Sequence, residues 1–393
     1  MTGDGVPELW AARAAVAEVA IVGRHLRQVW GTPGTRLGMT RWPPEAGHRL
    51  HAHWHYGWQA QLLDCAVDAA ERTDDIARKA TVVKLVRGIR LRNPHGWVSG
   101  RHDELALMGL ALMRARRLTA MPKSAALVAI ASRLRAAWTD HAGGGVWSVR
   151  GGPKVGAVKG SAVNAAFAML FVGLAEELGD RADLQRARAA VEWLEERLAD
   201  PETGLLAESV SATGEAVSEV TSAHSQGLLV GACVSLAAAT GERRWGELAE
   251  RTITAIADHL TSSGVLRGNG GSDSGLHAGI CARHLAGAAI ALDGAAAKTA
   301  ARIVYRSADG AWRNRAAVPG GPLFGPQWTV PAVGRLGPLP ARMAEQLEGI
   351  GRDSRWECDL SVQISGWTAV EAAARLARHG VPEREFRAAR RGI

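Results

Sequence analysis

The chain has 393 residues, of which 47% are hydrophobic and 22% charged, the balance of a globular protein with a large core rather than of a disordered, collagenous or membrane-embedded chain. Its net charge is +8, but only six of the 47 basic residues are lysine and the arginines are scattered without interleaved aromatics, so a solvated basic surface is expected and no nucleic-acid partner. Fourteen aromatic residues are Trp, against four Phe and two Tyr, a skew that asks for a reason.

Near the start, the apolar run from Ala11 to Ile21 is broken by Arg13 and Glu18 and has no basic region before it, so no signal peptide is expected. No stretch of about 20 uncharged apolar residues follows anywhere, which argues against a membrane partner. A cytoplasmic location is the expectation, with export by an unmarked route as the alternative. Apolar residues recurring every three or four positions predict helices over 7–30, 54–73, 74–91, 102–118, 121–141 and 158–179. The same spacing continues over 181–199, 221–240, 242–261, 275–292, 294–307 and 358–379, with an ambiguous piece near 331–350.

The linkers between these helices alternate. Short joints at Thr73-Asp74, Gly179-Asp180 and Thr240-Gly241 trade places with long Gly/Pro/Trp-rich loops at 31–53, 92–101, 142–157, 200–220, 262–274 and 308–330. That rhythm belongs to stacked antiparallel helix pairs. Asp180 and Asp200 are expected as helix caps, and DPETG at 200–204 as a turn. Some helices, such as 162–175 and 227–239, are apolar nearly all round, whereas 181–198 carries a charged face. Two concentric rings satisfy both kinds, so the expectation is an all-α toroid of about twelve helices in one domain, 1–393, with its long loops gathered over a site.

Cys65, Cys233, Cys281 and Cys358 lie far apart with no zinc-like spacing, and are expected to be reduced core residues. His51, His53 and His55 alternate, but no carboxylate or Cys stands at matching spacing, so they read as polar loop residues and no metal is expected. The glycines at 143–145 and 268–271 lack the context of phosphate loops. No cofactor or obligate protein partner is implied.

Asp103 and Glu104 open the apolar helix at 102. Two acids there can cap free N–H groups and meet the positive end of the helix dipole. They can also serve a glycosidic bond as nucleophile and proton donor, which in a retaining enzyme stand about 5–5.5 Å apart; the donor then needs its pKa raised by burial or by its charged neighbour. Trp42, Trp54, Trp58, Trp97, Trp147, Trp312 and Trp328 fall in or beside loops, as sugar platforms or loop anchors. Trp10, Trp30, Trp138, Trp193 and Trp245 fit helices and read as packing. Asp64 is a buried structural acid or a pocket contact; its place six residues after Trp58 and three after Gln61 favours the pocket.

The segment HYGWQAQLLDC at 55–65 resembles the Trp-Gln-Ala-His-Leu-Leu-Asp segment of glycoside hydrolase family 76, the endo-α-1,6-mannanases. HDELALMGLAL at 102–112 and GGGVWSVRGG at 143–152 are similar to the family's Asp-Asp helix and Gly-Gly-Gly-Ile-Trp loop. DPETGLLAESV at 200–210, HSQGLLVGACVSLAAATG at 224–241, GGSDSGLHAGICARHLA at 270–286 and LFGPQWTVP at 323–331 follow in the family's order. The resemblance implies an (α/α)6 barrel and retaining cleavage of α-mannosidic, chiefly α-1,6, linkages in mannan or manno-oligosaccharides. It places Asp103 on the nucleophile and Glu104 on the acid/base, and implies substrate contacts by Trp58, Gln61, Asp64, Trp97, His102, Trp147, His224, Gln226, Asp273 and Trp328.

The chain departs from the family pattern in Glu104 for a second Asp, Gln61 for His, Ser225 for Asn and Ala278 for Lys; 153–160 lacks an Asn-rich pattern. A glycan-binding protein without turnover on the same barrel is one alternative. Another is a sugar epimerase using His224 and His284.

Overall fold

All twelve helices anticipated from the apolar periodicity form, most within two or three residues of their expected ends. The computed structural model describes residues 5–121, 125–152, 156–217, 222–334 and 356–383. Most of the ambiguous 331–350 piece, part of the 153–160 loop and the first residues of the predicted 121–141 helix lie outside those. The first helix, α1 (Gly5–His25), stops short of residue 30 because Leu26 and Arg27 pair antiparallel with Gly38 and Leu37. Trp30, expected in a helix, therefore stands in a loop turn, 55% exposed, its indole N–H donated to the Leu50 carbonyl.

Six helices form the inner ring: α3 (Tyr56–Arg72), α5 (His102–Thr119), α7 (Ser161–Leu178), α9 (Ala223–Thr240), α11 (His277–Ala291) and α13 (Leu360–Arg378). Each packs on the next, and α13 returns to α3 to close the circle. The outer ring is α4 (Ile76–Arg92), α6 (Ala125–Ala136), α8 (Arg181–Leu198), α10 (Arg243–His259), α12 (Gly294–Arg313) and α1, which lies against α13. This is an (α/α)6 barrel. A short α2 (Ala46–Arg49) sits in the first long loop.

Hydrophobicity sorts the rings. Residues 56–67 of α3, 223–233 of α9 and 360–374 of α13 are buried without interruption, whereas α10 buries one stripe through Trp245, Leu248, Ala249, Ile253 and Ile256, as inner and outer positions require. α7 is long and apolar enough to cross a membrane, with a mean hydropathy of 1.4, but 72% of it is buried inside the protein as a core helix. All four cysteines are buried and free. Outer-ring arginines reach carboxylates on the neighbouring outer helix or its flanking turn, as in Arg135–Asp183 at 2.5 Å, Arg251–Glu195 at 3.2 Å and Arg188–Glu242.

The two ends of the barrel differ. Short joints sit at the C-terminal ends of the inner helices, where Gly179 and Gly241 take left-handed φ values of 71° to stop α7 and α9, a conformation cheap only for glycine. Asp180 caps α8 by accepting from the Ala182 N–H; Asp200 instead closes its own turn, accepting from the Glu202 N–H and the Thr203 hydroxyl. All six long loops enter the N-terminal ends of inner helices.

Four of those entries share a device at the helix's fourth residue. The Gln59 amide pairs with both the N–H and C=O of Gly38 at 2.9 Å. Asn164 does the same to Val146, at 2.8 and 3.3 Å. Gln226 holds Leu206 at 3.0 and 2.9 Å, and Gln363 holds Phe324 at 3.1 and 2.9 Å. An amide, with one acceptor and two donors, is the side chain that satisfies both halves of a peptide unit. These four are fully buried, so each pairing removes groups that would cost about 1–3 kcal/mol if left unmet.

Candidate active site

The site forms where α5 meets the loops. Backbone pairing fixes its start: His102 N–H donates to Ser148 O at 2.9 Å, Arg150 N–H to Gly100 O at 2.8 Å, and Arg101 bridges Val149. Arg101 is therefore extended, and helix geometry begins at His102. Asp103 and Glu104 then fall in the first turn, at the positive end of the α5 dipole.

The two acids have opposite surroundings. Arg101 forks onto Asp103 at 2.6 and 3.2 Å, a bidentate, charge-assisted pair. Glu104 accepts from the Ser99 hydroxyl and lies 3.9 Å from Arg101 Nε. Burial raises the Glu104 pKa above the ordinary carboxylate value; Asp103 and Asp273 add to the rise, while the Ser99 hydrogen bond and Arg101 oppose it. Thus Glu104 is biased toward holding a proton while Asp103 is ion-paired. A Cβ on Gly57 would stand 3.3 Å from Glu104 Cγ and 3.4 Å from Oε1, so the missing side chain leaves room for a glutamate's extra methylene.

Around the pair, Trp58 donates its indole N–H to Asp273 at 2.7 Å and stacks on His55 with ring centres 4.2 Å apart. Asp273 is 53% exposed and faces Arg101 and Glu104 electrostatically. His224 stacks on His277 at 4.7 Å; burial pushes the His224 pKa well down and that of His277 to about 4, so both rings are neutral near pH 7. Glu208 projects from the loop before α9; burial raises its pKa and Asp103 adds to the rise, against a Ser222 hydrogen bond. A groove of about 430 Å³ runs out beside Glu104, past Ser99, Tyr56, His55, Trp54 and Asn93. Among the described residues no cluster of His, Cys, Asp or Glu is arranged to hold a metal ion.

Of the substrate contacts expected from sequence, Trp58, Asp273 and His224 belong to this neighbourhood, and the others do other work. Gln226 is fully buried and spends its amide on Leu206. His102 is buried and its Nδ1 sits 2.6 Å from the Trp147 carbonyl. Trp147 is 1% exposed, covered by the Lys159 ammonium and bonded to Thr139; Trp328 is 3% exposed in the core cluster, its carbonyl held by Asn314. Trp97 is half-buried and packs on the core.

Gln61 and Asp64 lie further down α3, where Arg283 takes both, at 2.9 and 3.0 Å, and Arg114 also pairs with Asp64. Asp64 is an acid of the barrel's interior, not of the loop-side pocket. His284 follows His277 by seven residues, about 10 Å along α11, so it does not oppose His224 across the mouth as an epimerase would need. Arg101, Ser99, Gly57, Glu208 and His277 were missed by sequence reasoning. Arg101 and Ser99 carried a signal, since they flank the acid pair; Glu208 and His277 come from distant segments.

A helical barrel with one acid paired to a cation and a neighbouring acid biased toward its protonated form defines a glycosidase-type protein. The chain belongs to glycosyl hydrolase family 76, whose profile matches residues 13–348. Among solved structures it is similar to the GH76A α-1,6-mannanase of Salegentibacter sp. HEL1_6, with 25% identity, a TM-score of 0.78, and 93% of this chain and 99% of that one covered. An inactive variant of that mannanase, with two adjacent aspartates changed to asparagine, superposes equally well and holds α-1,6-mannotriose. A Listeria innocua protein, 23% identical with a TM-score of 0.78 and 94% and 98% coverage, shares the fold. No curated protein matches the chain by sequence.

Proposed function

We propose that the protein is a retaining glycosidase that cleaves α-1,6-linked mannosides, with Asp103 as nucleophile and Glu104 as acid/base. The observation that carries this reading is the contrast between the two carboxyls in the first turn of α5. Asp103 attacks the anomeric carbon while Glu104 passes its proton to the leaving oxygen, and in the second step Glu104 takes a proton from water as the glycosyl–Asp103 ester is hydrolysed. Arg101 orients the Asp103 carboxylate for the attack, since each oxygen accepts one hydrogen bond from it and keeps a second lone pair. The Salegentibacter mannanase supports the substrate, since its inactive variant binds α-1,6-mannotriose. We infer a carbohydrate partner and a cytoplasmic site of action.

The experiment is hydrolysis of α-1,6-mannotetraose followed by NMR of the first-formed anomer. Release of the α-anomer, abolished in Asp103→Asn, is the expected result. Inversion of configuration would remove Asp103 as a nucleophile, and turnover unchanged in Asp103→Asn would reject the site.

A further inference from the structure

A second cavity, of about 520 Å³, opens at the other end of the inner ring and is lined by all six inner helices. Arg114, on its wall, lies ten residues past Glu104, about 15 Å down the axis of α5. Of the three glycines on its wall, Gly173 and Gly231 admit Met113 and His284, whose nearest atoms would stand 2.5 and 2.6 Å from an added Cβ, whereas Gly287 leaves open space. At Gly287 an added Cβ would meet nothing nearer than Arg375 Nη1 at 4.0 Å.

The polar side of this cavity is largely closed on itself. Arg283 pairs with Asp64 at 3.0 Å and Asp68 at 2.7 Å, while Arg114 joins Asp64, Asp68 at 2.6 Å and Glu71 at 2.9 Å. Arg375 is the exception: it has no side-chain hydrogen bond or ion pair among the described residues, although it is half-buried between α11 and α3. Burial lowers its pKa, as do the charges of Arg114 and Arg283, against Asp68 and Glu71. His284, beside it, is held to about 3 by burial and the same arginines, so it is a neutral ring. The opposite wall, on α5 and α7, is apolar through Leu107, Leu110, Met169 and Val172, with the paired Arg117 and Glu176 also on it, and Ile290 extends the apolar surface along α11.

We propose that this cavity is a binding site for a small organic acid, its carboxylate taken by the Arg375 guanidinium and its hydrocarbon body laid on Leu107, Leu110, Met169, Val172 and Ile290. A guanidinium fork matches a planar carboxylate. A phosphate dianion fits worse, because Asp68 and Glu71 face the same guanidinium and repel a second negative charge, and Arg117 on the far wall is already paired with Glu176 and Glu177. The volume lies within the range of about 300–1,000 Å³ typical of small-molecule sites.

Calorimetric titration of the full chain with hexanoate tests this, with inorganic phosphate and α-1,6-mannotriose as comparisons. One-to-one saturable hexanoate binding is expected, weakened at least tenfold in Arg375→Gln and at least tenfold in Gly287→Leu, which fills the cavity from a helical position with open space. Both variants are checked by circular dichroism for wild-type helix content. Mannotriose should not compete, since its proposed site is at the other end of the barrel. No hexanoate binding at millimolar concentration, binding kept within twofold in Gly287→Leu, or phosphate binding as tightly as hexanoate would each overturn the proposal. The outcome is independent of turnover, so it stands or falls apart from the glycosidase reading.

Discussion

Four inner helices and two others begin differently. In α3, α7, α9 and α13 the fourth residue is an amide that grips a peptide unit of the loop before it. In α5 and α11 that position is Leu105 or Ile280. The chain entering α5 is held from outside, by the backbone ladder to 148–150. At α11 a short 3₁₀ turn, Ser272–Leu276, leads in, and the Gly279 N–H is donated to Ser365 of α13 at 2.9 Å. These two helices carry Asp103, Glu104 and His277, with Asp273 in the turn before α11. The lesson is a division of labour: helix starts gripping a loop, as in α3 and α9, bring only flanking rings such as Trp58 and His224, and both reactive carboxyls come from a start without that grip.

The contrast can be broken most sharply on α5. Asp103→Asn should lower turnover of α-1,6-mannotriose by at least about 10³-fold, while urea denaturation finds stability little changed, because only a half-exposed ion pair is lost. On α9 the reverse is expected. Gln226→Leu leaves both polar groups of Leu206 buried and unmet, a loss of about 2–4 kcal/mol in urea denaturation, with the pH dependence of any remaining activity unaltered. If Gln226 were a sugar contact, KM would rise without that loss.

Gly57→Ala sharpens the same boundary from α3. Its Cβ presses on Glu104 at 3.3–3.4 Å, and displacement of an acid by a few tenths of an ångström should slow kcat on the order of tenfold with stability hardly moved. The smallest effect is a pH shift. Activity needs Glu104 protonated, so kcat/KM falls as pH rises through its pKa; Arg101 lowers that pKa, and Arg101→Gln should therefore move the alkaline limb to higher pH. A limb that stays in place would separate Glu104 from the proton transfer.

The double ring was legible because its cause is periodic: inner helices are apolar all round and outer ones on a stripe, and both patterns are local. The acid pair was legible too, being adjacent in the chain. What escaped depends on depth and direction. Gln61 and Asp64 sit on the same helix as Trp58, but three to six residues of α-helix carry them about 4–9 Å below it, into the reach of Arg283. Gln226, Trp147 and Trp328 have residue types that suit a sugar, and here the same hydrogen-bonding and flat-ring properties serve loops and core. Gly57 became informative only once Glu104 was found above it.

Closure of the ring has a consequence for biosynthesis. The first helix, α1, lays Trp10, Ala14, Ala17 and Ile21 into the core and finds its main partner in α13, more than 330 residues later. A ribosome making roughly 5–20 residues per second exposes the apolar faces of α1 and α3 for tens of seconds before α13 emerges to cover them. Native docking of the two ends is the most non-local event in the chain, and non-local contacts slow folding. Assembly of this barrel is thus gated by its last helix, and the nascent chain is a natural client for chaperones until then.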